Sequence, residues 1–139
     1  MKEANVTRAI KLSNGEVVKV FKLGTIEVIN TTNHPLNFID PDDGEIIVPT
    51  SGIVVSAKAV EKVVMETKGV KLVRTEFVPD NETQKLIEEI IEKSEGSILL
   101  IGSVIAAQAY PQQIVAMTPA QGYERAKEKK MNPRKFVVF

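Results

Sequence analysis

The sequence predicts a single α+β domain over residues 1–139. Its N-terminal half is β-rich, built of mostly antiparallel hairpins, and its C-terminal half is a helix, strand, short helix and strand packed on one core. Three observations carry this. Ser13-Asn14-Gly15 stands between two alternating apolar runs, 6–12 and 16–23, which is a strong hairpin signal. Residues 81–95 repeat Leu86, Ile87, Ile90 and Ile91 at helical spacing, with Glu88, Glu89, Glu92 and Lys93 opposite. Residues 97–119 read as strand, short helix, strand and hold the longest run of buried-type side chains.

Taken in order, the first hairpin ends at Gly24 and a β-branched strand follows over 25–29. It runs into the polar cluster 30–34. Pro35 favours an extended residue before it, and 36–39 resumes strand character. Asp40-Pro41-Asp42-Asp43-Gly44 is a turn, because Asp side chains imitate backbone turns and Gly supplies positive φ. A strand at 45–48 and a turn at 49–52 come next. Residues 53–66 fit helix or strand, and their valines favour strand. Residues 70–77 are a further strand, in which Arg74 and Glu76 share a face.

The long helix starts with a capping pattern of Asn81 and Gln84 and stops at Gly96, placed as a C′ glycine. The strand from residue 97 is apolar on both faces, as in a sheet buried on both sides. Ser103 caps a short helix whose small residues Ala106, Ala107 and Ala109 permit close packing, until Pro111 stops it. Residues 121–130 suit a short solvated helix. Residues 136–139 suit a terminal strand that completes the sheet or docks on a second subunit.

Composition narrows the function classes. The 139 residues are 43% hydrophobic and 26% charged, enough for one core, and no apolar run approaches the roughly 20 residues of a membrane-spanning helix. Eighteen basic residues balance eighteen acidic ones, which argues against a nucleic-acid partner, and the 127–135 basic cluster is diluted by glutamates. Cysteine is absent and the N-terminus shows no signal-peptide core, so a cytoplasmic location is expected. The dominance of Lys, Glu, Ile and Val is compatible with a thermophile.

The candidate ligand-binding residues are Asn30, Thr32, His34, Arg74 and Ser103. His34 is the one histidine, so a multi-histidine metal site is excluded by count. It lies in a polar patch upstream of Asp40, Asp42 and Asp43, a neighbourhood able to orient an imidazole or merely to brace a turn. Ser103 after Gly102 opens a helix and could meet an anion, although it also suits a plain N-cap. No cofactor is expected, because no glycine-rich phosphate loop, nucleophile elbow or metal spacing is present.

Several islands resemble a scattered group of small phage and prophage proteins without assigned activity. Asn30, Thr32 and His34 fit an Asn-x-Thr-x-His strand end. The 49–52 turn, Val73-Arg74-Thr75, and the strand and Ala-rich helix of 98–109 are similar too, whereas the basic tail after Gly122 departs from the group. The resemblance implies a phage-like setting and transfers no catalytic role. The sequence thus favours a non-enzymatic, self-associating binding module contacted in the 30–43 region. Two alternatives stand beside it: a small hydrolase using His34 with the Asp40, Asp42 and Asp43 carboxylates, and an assembly protein of a virus-like particle.

Overall fold

The structure, a computed structural model, describes residues 2–139. Among them eleven strands and two helices follow one another as β1 Lys2–Glu3, β2 Val6–Lys11, β3 Val17–Leu23, β4 Ile26–Asn30, β5 Leu36–Asp40, β6 Gly44–Val48, β7 Lys58–Thr67, β8 Val70–Val78, α1 Asn81–Lys93, β9 Ile98–Gly102, α2 Val104–Ala109, β10 Ile114–Pro119 and β11 Met131–Val137. Nine strands form one mixed sheet in the order β1-β6-β5-β11-β10-β9-β4-β3-β2, and β7 and β8 form a separate ribbon. The fold is α+β with strand dominating.

The first hairpin forms as the Asn-Gly signal predicts, with a three-residue loop: Leu12 and Glu16 close it, and Gly15 takes φ +93°. β9 lies at the centre of the sheet, parallel to β4 on one side and to β10 on the other, with α2 as the crossover between β9 and β10. Its residues alternate between two cores. Ile98 and Leu100 face one, and Leu99 and Ile101 face the other.

Those two cores follow from how the sheet closes. β1 pairs with β6 at one end of the strand order and β2 pairs with β3 at the other, yet only Ala4 and Asn5 separate β1 from β2. The Ala4 N–H donates to Ile47 O at 2.8 Å, and Asn5 O accepts from the Lys22 N–H at 2.9 Å. In an extended chain these two groups point to opposite sides, so one continuous stave joins both ends of the sheet into a barrel. Nine strands thereby make eight staves, a size whose interior side chains can fill. The interior holds Phe21, Leu23, Val28, Leu36, Phe38, Ile46, Val48, Ile101 and Val115.

The second core lies outside the barrel, where α1, α2 and the extended segment after β6 cover one wall. Val18, Val20, Ile29, Leu100 and Ile114 meet Ile87, Ile90, Ala107 and Tyr110 there. A bulge between Val6 and Arg8 re-phases β2, so Ala4 joins the interior and Ile10 and Leu12 join the outer core. Gly102 is required at the end of β9, because a Cβ would come within 2.6 Å of the Ile114 side chain.

Five expectations need correction. The cap of α1 is Asp80 rather than Asn81: its carboxylate accepts from the Thr83 N–H and hydroxyl, where an anion also gains from the helix dipole. Gln84 instead reaches Gln113. Gly96 is C″ and Glu95 is C′ with φ +57°, since the Gly96 N–H returns to Ile91 O and that of Glu95 to Glu92 O. Residues 121–130 form turns, not a helix, and end at Lys130, whose buried side chain meets Glu45 and Glu128 at 2.7 and 3.0 Å. The last strand begins at Met131 rather than Phe136 and completes its own sheet, between β5 and β10, which is the first of the two roles expected of it and excludes a free docking tail. Residues 53–57 extend over the outer core, and strand begins only at Lys58.

Candidate functional site

A barrel has two mouths, and the sequence candidates divide between them and the ribbon. β4 ends and β5 begins at one mouth, where the main chain of 30–35 must turn without losing its hydrogen bonds. Asn30 is fully buried there. Its Nδ2 group donates to His34 O at 2.9 Å, with Pro49 O at 3.2 Å and Val48 O at 3.3 Å also in reach. Its Oδ1 accepts from the Thr32 N–H at 2.9 Å and hydroxyl at 2.6 Å. Ser51 Oγ donates to Asn30 O, and Thr31 Oγ1 donates to Ile101 O. Asn30 and Thr32 therefore plug this mouth and hold the 49–51 segment across it. Every polar group they own is committed within the chain.

His34 joins the plug only through its carbonyl. Its ring is exposed, with Nδ1 3.0 Å from Pro35 O. Asp40 lies at the far end of β5 from it, and that strand alone, Leu36–Asp40, spans roughly 13 Å at about 3.3 Å per residue. The imidazole and the carboxylates thus lie at opposite mouths, and a shared site is ruled out by the strand between them. Ser103 caps α2 by accepting from the Ala106 N–H at 3.1 Å. Arg74 stands exposed on the ribbon, opposite Lys62. The structure brings together Asn30, Thr32 and the His34 main chain, and leaves Arg74 and Ser103 apart from them.

At the other mouth lie the Asp40, Asp42 and Asp43 carboxylates that the sequence offers, joined by Arg134, which the sequence does not single out. Asp40 is the last inward residue of β5, in phase with Leu36 and Phe38, and is 4% exposed. Arg134 on β11 reaches it across the barrel rim: Nε donates to Oδ2 at 3.2 Å and one terminal nitrogen to Oδ1 at 3.0 Å, the two-pronged geometry guanidinium favours. The same nitrogen meets Asp42 Oδ2 at 3.0 Å. The Asp42 N–H, which donates to Asp40 Oδ1, and then Arg134 hold the Asp40 carboxyl below its usual range against the opposing effect of burial. Arg134 is itself set by a local turn, its N–H donating to Asn132 Oδ1. Among the described residues no group of three His, Cys, Asp or Glu side chains is arranged to hold a metal ion.

Around this ion pair opens a cleft of about 620 Å³, lined by Leu23, Gly24, Thr25, Ile26, Asp40, Asp43, Pro133, Arg134 and Phe136. Phe136 is steadied from inside by Phe38, ring centroids 6.2 Å apart. Leu23 and Ile26 face it from the β3–β4 turn. Asp43 makes no ion pair among the described residues, so the cleft has apolar walls, an Arg134 pinned by Asp40 and Asp42, and one carboxylate outside any ion pair. Within the 127–135 basic cluster Lys130 is buried between Glu45 and Glu128, and Arg134, though exposed, is tied to Asp40 and Asp42. The one local clue was Asn132-Pro133-Arg134, a turn signal placing an Arg at a strand start. No protein-family model, curated protein or solved structure matches this chain.

Proposed function

We propose that the protein is a non-enzymatic binding module whose ligand enters the Asp40–Arg134 mouth of the barrel. The observation that carries this reading is the cleft at that mouth, because barrel mouths are recurrent ligand sites and this one joins apolar walls to oriented charge. Leu23, Ile26 and Phe136 suit an apolar body. Asp43, outside any ion pair among the described residues, suits a cationic or hydrogen-donating head group. The ligand class is therefore a small amphipathic amine. The resemblance carried by Asn30, Thr32 and His34 favours a phage or other mobile-element setting for the module.

Protein-detected NMR titration tests this with phenethylamine, the matched alcohol and phenylacetate as probes. Saturable shifts at Gly24, Thr25 and Asp43, strongest for the amine, are expected. Ile26→Trp, which fills the cleft from an exposed position, should abolish them. Shifts confined to the Asn30 mouth, or equal response to amine and carboxylate, would overturn the assignment.

A further inference from the structure

The β7–β8 ribbon is an arm without a tertiary partner over most of its length. Ala57 and Phe77 tie its root to the outer core, and Tyr110 clamps that root: the Asp80 N–H donates to the Tyr110 hydroxyl at 2.9 Å, which in turn donates to Ser56 O at 3.0 Å. Beyond the root the strands pair only with each other. An isolated two-stranded hairpin is marginal in water, yet this one exposes Val63, Val64, Met65, Val70, Leu72 and Val73 by 46–58%. Val63 and Val73 lie on one face. After the bulge between Val63 and Met65, Met65 and Leu72 lie on the other. An apolar surface on both faces of a projecting ribbon marks an interaction element.

Of its two edges, β7 is broken by that bulge, while β8 runs regularly from Val70 to Val78 and presents unpaired backbone groups. Antiparallel pairing of β8 with a second β8, about a two-fold axis at Thr75, sets Val73 opposite Phe77 and Leu72 opposite Val78. It also sets Arg74 opposite Glu76 twice over, once on each side of the axis. Arg74 has no ion-pair partner among the described residues, and Glu76 meets only Lys62. The register thus supplies the missing partner for Arg74. We propose that the protein forms a two-fold dimer through β8, its occupant a second copy of this chain, in the Arg74–Glu76 register.

Sedimentation velocity on the full chain tests this. The wild-type chain should dimerise reversibly. Arg74→Glu and Glu76→Arg, each of which sets like charges opposite one another, should each weaken the dimer at least about tenfold, and the double charge reversal should restore it. Lys62→Gln removes the arm's internal ion pair and leaves the register intact, so it should leave dimerisation unchanged and separates fraying of the arm from loss of the interface. A monomeric wild-type chain, single reversals without effect, or a double reversal that stays monomeric would each overturn the proposal.

Discussion

Asn30 and His34 stand four residues apart, and the structure gives them opposite weights. Removing the Asn30 carboxamide takes the donor from the buried Val48 carbonyl and the partly buried His34 and Pro49 carbonyls, and leaves the Thr32 N–H without its acceptor. Asn30→Ala is expected to cost about 2–3 kcal/mol in denaturant unfolding, because unmade buried hydrogen bonds carry the full desolvation penalty. His34→Ala, which removes an exposed ring, should stay within about 0.5 kcal/mol. Tyr110 is the third residue of consequence, since its hydroxyl bridges both roots of the arm. Tyr110→Phe should cost about 1–2 kcal/mol and speed amide exchange along β7 and β8 ahead of the barrel strands.

At the scale of elements, α1 is held by its apolar stripe and by its ends. Ile87 and Ile90 are fully buried, and Leu86 and Ile91 flank them. Ile90→Ala should therefore cost about 2–5 kcal/mol, through lost burial and a cavity between helix and barrel. The C-terminus offers the opposite sign. Glu95 holds a left-handed conformation that costs a non-glycine residue about 1–2 kcal/mol, so Glu95→Gly should raise the unfolding midpoint. Glu89 secures the helix to the first hairpin by accepting from the Ser13 N–H and hydroxyl. Lys93 and Ser13 hold its carboxyl below the usual range. Element type was legible for the first hairpin, the long helix and the twice-buried strand, since all three rest on local periodicity, and was not legible for residues 53–57 or 121–135. The cap and C′ positions each moved by one residue: the Asp80 carboxylate takes the Thr83 N–H, and the helix closes through the backbone N–H groups of Glu95 and Gly96.

The whole molecule depends on closure. β11 joins the β5–β6–β1 staves to β10, so a chain ending at Lys130 should lose the barrel and its cooperative unfolding transition rather than merely an oligomer contact. The Asp40–Arg134 tie at the rim makes closure sensitive to acid. A carboxyl whose folded pKa lies below its unfolded value of 3.8 stabilises the fold above that pH, and the contribution fades as pH falls through the lower folded value. Unfolding free energy measured from pH 6 downward should thus drop below about pH 4 in the wild-type chain. In Asp40→Asn, already less stable at pH 6, the drop should be smaller, and the two curves should converge toward the most acidic points.

Sequence alone determined what depends on near neighbours: the hairpin at Asn14-Gly15, the helix of residues 81–93, the doubly buried strand β9, and the absence of cysteine chemistry. Tertiary structure decided what depends on distant residues meeting. Closure rests on Ala4 and Asn5 bonding to β6 and β3 on opposite sides, and periodicity does not encode which strands those sides will find. The separation of His34 from Asp40 is likewise a consequence of β5 running the height of the barrel. Arg134 reaches Asp40 across 94 residues of chain because β11 enters the sheet beside β5. The cleft exists only where these remote segments converge, and local composition holds no record of that convergence.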